Sequence, residues 1–149
     1  MRAIGTGSLA LARTRWALLL GNFVIGSGLQ VAAGTLHDLA RSLDVSVATA
    51  GQLISVAAVV VCAGAPLAAW LVRGRDMRRL LAFALLWYGL GHAACAAAGT
   101  FFSLGVARAL TMLAAAVFTP QAAAAIAVMT PPQGRASAVA FILIGWSAF

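Results

Sequence analysis

Four apolar stretches, each long enough to cross a bilayer as a helix, constrain this chain more than any other feature. A helix needs about 20 apolar residues to cover roughly 30 Å of hydrocarbon. Residues 16–36 supply the first, broken by Asn22, Ser27 and Gln30. Residues 51–72, 80–98 and 104–129 supply three more. Pro131-Pro132 ends the fourth, because proline lacks the N–H that a continuing helix requires. A fifth run, 136–149, amounts to about 21 Å of helix at 1.5 Å per residue. That is too short to cross. The expectation is a chain cut within its fifth span, the alternative being a complete chain that ends in a short re-entrant or interfacial segment.

Composition agrees with the bilayer. Hydrophobic residues make up 63% of the chain and charged residues 9%, with a mean hydropathy of +1.00. Soluble domains carry roughly 45–50% apolar and about 25% charged residues, so most soluble-enzyme readings are excluded. The expected fold class is all-α, a polytopic membrane helical bundle whose first partner is the lipid bilayer. The net charge of +7 comes from arginines alone, with no lysine, against Asp38, Asp44 and Asp76. On a soluble protein that balance would suggest nucleic acid. Here the arginines separate apolar runs, so orientation in a membrane is the better reading and no nucleic-acid partner is expected.

Arg2, Arg13 and Arg15 precede the first run as in a signal peptide. The run exceeds the usual 7–15 apolar residues, however, and Gly28-Leu29-Gln30 stands where a cleavage site would. It reads as a retained helix behind a cytoplasmic segment, residues 1–15. Arg73, Arg75, Arg78 and Arg79 lie between runs two and three, and Arg135 between four and five. The intervening connections hold Arg41 with Asp38 and Asp44, and no charge in 99–103. The positive-inside rule therefore places the amino terminus in the cytoplasm.

Polar groups within apolar spans are costly and mark candidate sites. Asn22, Gly26 and Gln30 recur every four residues, on one helix face. That face either lines an aqueous cavity, where it meets substrate, or ties span one to a neighbour. Arg108 shares a face with Met112, Ala115 and Thr119. It is either a cavity residue or an arginine that snorkels to the outer interface. His92 is a weak candidate proton carrier, with a packing role as the plainer alternative. Pro66 and Pro120 interrupt spans two and four as kinks, whether structural or gating. Trp16, Trp70 and Trp87 with Tyr88 fit interfacial or near-interfacial belts, a signal of placement only. Cys62 and Cys95 lack disulfide or metal spacing and read as buried packing residues. No metal site, cofactor loop or nucleophile with a base is present in the sequence, so no enzymatic activity is expected.

The stretch from Gly64 and Pro66 through Arg73, Gly74, Arg75, Asp76, Arg78 and Arg79 resembles the loop between the second and third helices of the major facilitator superfamily. Gly26 to Ala40 and Leu43 to Leu53 are similar to its sugar-efflux and arabinose-efflux-permease-like branch, among the drug:proton antiporters. Arg108, Thr119-Pro120-Gln121, Pro131 to Ala136 and Gly145-Trp146-Ser147 fit the same order. Two departures stand out. Arg73 occupies the loop position usually held by aspartate, with Asp76 three residues on. Leu29 stands where relatives often carry a span-one carboxylate.

The resemblance implies the first four to five spans of a twelve-span fold, with the remainder of the transporter chain as partner and a bacterial inner membrane as setting. It also implies a secondary transporter that exports small molecules (sugars, drugs or metabolites) by alternating access, with substrate held between two halves. The basic loop would act as a cytoplasmic latch. Proton linkage is left open, since no span here carries a carboxylate. The alternative is a small multi-span scaffold or accessory protein without transport activity.

Overall fold

The computed structural model describes residues 3–146. Arg2, Ser147 of the Gly145-Trp146-Ser147 motif, and the end of the fifth apolar run at Phe149 lie outside the described residues. The described chain is built of helices joined by short connections: α1 (Ala3–Gly34), α2 (Leu36–Ser42), α3 (Val47–Leu71), α4 (Met77–Ala96), α5 (Phe101–Met129) and α6 (Arg135–Ile144). Four of these helices are long and apolar enough to cross a membrane, over Leu9–Gly34, Val47–Leu71, Met77–Ala96 and Phe101–Met129. The protein is thus an all-α polytopic membrane bundle.

Helix ends follow local chemistry. α1 runs back through Arg15 and Arg13, because alanine, leucine and arginine are strong helix formers. Ser46 caps α3, its Oγ accepting from the Thr49 N–H at 3.0 Å. Thr100 and Ser103 cap α5 reciprocally, each side chain accepting from the other's backbone N–H. After α5, Thr130 is extended at φ −110°, ψ 137°, as a residue before proline must be. A 3-10 turn over Pro132–Gly134 then leads into α6. The short α2 lies where the sequence suggested only a connection. Its Asp38–Arg41 pair, 3.7 Å apart, is solvent-facing and contributes little.

α5 is the central helix. It packs most extensively on α3 and α4, and also meets α1 and α6. Met112, Ala114, Ala115, Phe118, Ala122 and Ile126 are its contribution to the core. Small residues let the helix backbones approach, as membrane packing requires. A Cβ on Gly21 would strike the Phe118 ring, and one on Gly28 would strike Tyr88 and His92. α6 lies beside α1 in the same direction: Phe141 meets Trp16 edge-on at 5.2 Å, and Gly145 rests on the α1 backbone near Leu19.

Two sequence expectations need correction. Tyr88 is not an interfacial anchor; it lies mid-helix on α4, 2% exposed, and its hydroxyl donates to the Ile25 carbonyl at 2.7 Å. Trp87 beside it donates its indole N–H to the Leu110 carbonyl at 2.9 Å. The polar atom of each ring is thus satisfied by a main-chain carbonyl of another helix. Nor are both cysteines buried: Cys62 is exposed on α3, and Cys95 is half-buried. An apolar run fixes that a helix enters lipid, but not which of its faces meets protein.

Candidate functional site

Polar groups converge on the middle of α1 from three other residues. Tyr88 of α4 donates to the Ile25 carbonyl. Arg108 of α5 donates through Nη2 to the Leu29 carbonyl at 3.2 Å and through Nε to the Leu53 carbonyl of α3 at 3.3 Å. Thr119 of α5 donates from its hydroxyl to Asn22 Oδ1 at 3.1 Å. The glycines of α1 make room for this approach, and the apolar faces of α4 and α5 hold the donors in position.

Arg108 is 5% exposed. A guanidinium cannot lose its proton in a protein, so its charge must be solvated where it sits. Two helix carbonyls do this, and they lie on α1 and α3, so one side chain ties three helices together. Its neighbourhood also holds Thr111, fully buried on α5, whose hydroxyl lies 3.9 Å from Cys95 Sγ. None of the chain's three aspartates lies in these helices' spans, so carbonyl dipoles rather than a carboxylate balance the arginine.

Asn22 and Gln30 share a stripe of α1 but not an environment. Asn22 is fully enclosed; its amide donates to the Leu18 carbonyl at 3.1 Å and its oxygen accepts from Thr119. Gln30 is exposed, and its side chain makes no hydrogen bond among the described residues. His92 is half-buried, 4.6 Å edge-on from the Tyr88 ring, and its Nε2 is buried with no hydrogen-bond partner among the described residues.

The basic loop is separate from this polar seam. Gly74 has φ +75°, a left-handed conformation that glycine adopts without strain. Asp76 caps α4, its Oδ1 accepting from the Arg79 N–H at 3.0 Å, while Oδ2 lies 4.0 Å from Arg79 Nε. Its carboxylate thus also faces the positive end of the α4 dipole. Arg73, Arg75 and Arg78 are exposed. Gly64 of the same motif lies at the α3–α5 crossing, where an added Cβ would come within 3.1 Å of Ala116 Cβ; Pro66 lies within α3.

The sequence pointed to Arg108, Asn22 and His92 because a polar residue in an apolar run is conspicuous. It missed Tyr88, hidden among aromatic anchors, and Thr111, whose hydroxyl satisfies itself on the Ala107 carbonyl at 2.7 Å.

Comparison with known proteins gives a consistent answer. Residues 18–149 match the model of the Major Facilitator Superfamily. The inner membrane transport protein YdhP of Escherichia coli is 37% identical over 129 residues, covering 87% of this chain and 33% of that protein. The uncharacterized MFS-type transporter YwfA of Bacillus subtilis is 32% identical over 131 residues, covering 88% and 32%. The chloramphenicol resistance protein of Streptomyces lividans is 35% identical over 113 residues, covering 76% and 29%. The chain therefore spans about a third of the length of the curated relatives it matches. No solved structure shows a significant match.

Proposed function

The chain belongs to the major facilitator superfamily, and on that premise we propose that it is the amino-terminal part of a secondary transporter exporting small molecules by alternating access. In this reading the α1–α5 seam forms one wall of the substrate path, and the arginine-rich ends of α1, α4 and α6 face the cytoplasm of a bacterial cell. The relative named for chloramphenicol resistance supports export rather than uptake.

The observation that carries the reading is Arg108. A permanent charge within an apolar bundle is costly, and it is retained here on carbonyls rather than on a carboxylate. Carbonyl hydrogen bonds leave the positive charge uncancelled, so an acceptor or anion on a substrate finds an attractive field. Gln30, one residue along from the Leu29 carbonyl, offers an unengaged amide at the same level of α1. Asn22 and Thr119 position α1 against α5 deeper in the seam. The Asp76-capped loop is the cytoplasmic latch, through contacts that break as the transporter changes state.

The test is an efflux assay on the full-length protein against a panel of sugars, drugs and amino acids. Wild type is expected to lower accumulation of at least one compound. Arg108→Ala should remove that effect while membrane insertion persists. Unchanged efflux by Arg108→Ala would take the arginine out of the site. Failure of folded wild type across the whole panel would favour the scaffold or accessory reading.

A further inference from the structure

The arginine-rich ends of α1 and α6 enclose a groove of about 450 Å³, lined by Leu11, Ala12, Arg15, Trp16, Ser137 and Phe141. Arg15 dominates it. Its Nε is buried and has no hydrogen-bond partner among the described residues. Its guanidinium lies 5.7 Å from the centre of the Phe141 ring, which is itself braced edge-on by Trp16. The fork is therefore held in place by aromatic packing while its hydrogen-bonding capacity is unspent. Arginine is well suited to bidentate recognition of phosphate, and a stacked guanidinium loses little freedom on binding one.

Among the described residues no carboxylate pairs with Arg15. The chain has three acidic residues, and none lines the groove. Asp38 pairs with Arg41 on α2, Asp44 holds a left-handed backbone position in the α2–α3 turn, and Asp76 caps α4. Ser137 adds a second polar residue to a groove whose other walls are apolar, with Trp16 among them 58% exposed. A site that is cationic at its polar end and greasy along its walls matches a phospholipid rather than a free ion.

We propose that this groove seats the phosphate of an anionic phospholipid, held by Arg15 and Ser137, with its glycerol and upper acyl carbons against Leu11, Trp16 and Phe141. Arg13 and Arg135 lie close in sequence to Arg15 and Ser137 and raise the local positive potential without lining the groove. The proposal requires that the protein lies in a bilayer and does not depend on what it transports.

Native mass spectrometry of the full chain, purified from membranes and offered phosphatidylglycerol or phosphatidylcholine at equal mole fraction, tests it. Wild type should retain phosphatidylglycerol about fivefold more, the factor expected for one arginine at an anionic surface. Arg15→Gln should bring retention down to the phosphatidylcholine level, whereas Arg13→Gln should keep the preference. If Arg15→Gln does not yield a monodisperse protein, Ser137→Ala provides the second reading and should weaken retention. Equal retention of the two lipids by wild type, or an undiminished preference in folded Arg15→Gln, would overturn the proposal. So would displacement of the lipid by millimolar inorganic phosphate, which would mark a site for a soluble anion. A lipid preference with no detectable transport would sink the function proposed above while leaving this site standing.

Discussion

Arg108→Lys separates charge from shape. A lysine keeps the cation, but its three N–H donors radiate from a single nitrogen and cannot reproduce the spread of Nε and Nη2 across carbonyls on two helices, so it should not restore the export lost in Arg108→Ala. Both variants should also lower stability, by about 1–3 kcal/mol, since each strands or loses a hydrogen bond to a charged group; unfolding in mixed micelles measures this. Thr119→Val breaks the bond to Asn22 and should cost about 0.6 kcal/mol, and no more than about 1.7. If export is proton-linked through His92, His92→Gln should abolish its response to an imposed pH gradient and spare substrate binding. Unchanged gradient dependence would exclude that imidazole as carrier. Single residues were legible in the sequence where polarity clashed with surroundings, as with Arg108 and Asn22. They were not legible where the answer depends on which helix stands opposite: nothing in the spacing of Asn22 and Gln30 tells that α5 covers the first and leaves the second open.

Whole helices were easier to read than their junctions. The four long runs became the four long helices because hydrocarbon leaves a backbone no partner but itself. The turn of helix between Leu36 and Ser42 went unseen, since a seven-residue segment carries too little periodicity to announce itself. The basic loop illustrates a division of labour within one motif. Asp76 closes the end of α4, so Asp76→Ala should cost about 1 kcal/mol by removing the cap. Asp76→Asn, which still accepts from the Arg79 N–H, should retain most of that stability, and thermal unfolding in detergent separates the two. The α1–α4 contact is tighter still. Gly28→Ala places a methyl against Tyr88 and His92 and should weaken the Tyr88 bond to Ile25, lowering stability by about 1–3 kcal/mol, as overpacking does.

At the scale of the molecule, the arginines divide the bundle into two unlike ends, which makes its orientation testable. In a background lacking Cys62 and Cys95, Ser42→Cys should react with a membrane-impermeant maleimide on intact cells. Arg75→Cys should react only after permeabilisation. Both positions are exposed, so access rather than burial decides the result. The overall plan was readable because the solvent imposes it. The inter-helix bonding was not, because most of its acceptors are peptide carbonyls, which no side-chain pattern records. Tyr88 and Arg108 reach Ile25, Leu29 and Leu53 only through main-chain oxygens. Replacing the side chains at those three positions therefore leaves the acceptors intact, and alanine scanning would pass over half of each bond. An ester in place of the amide, which makes the oxygen a poorer acceptor, would expose what such a scan overlooks: the stationary half of this clasp is carried by the polymer itself, and mutation can alter only the half that grips it.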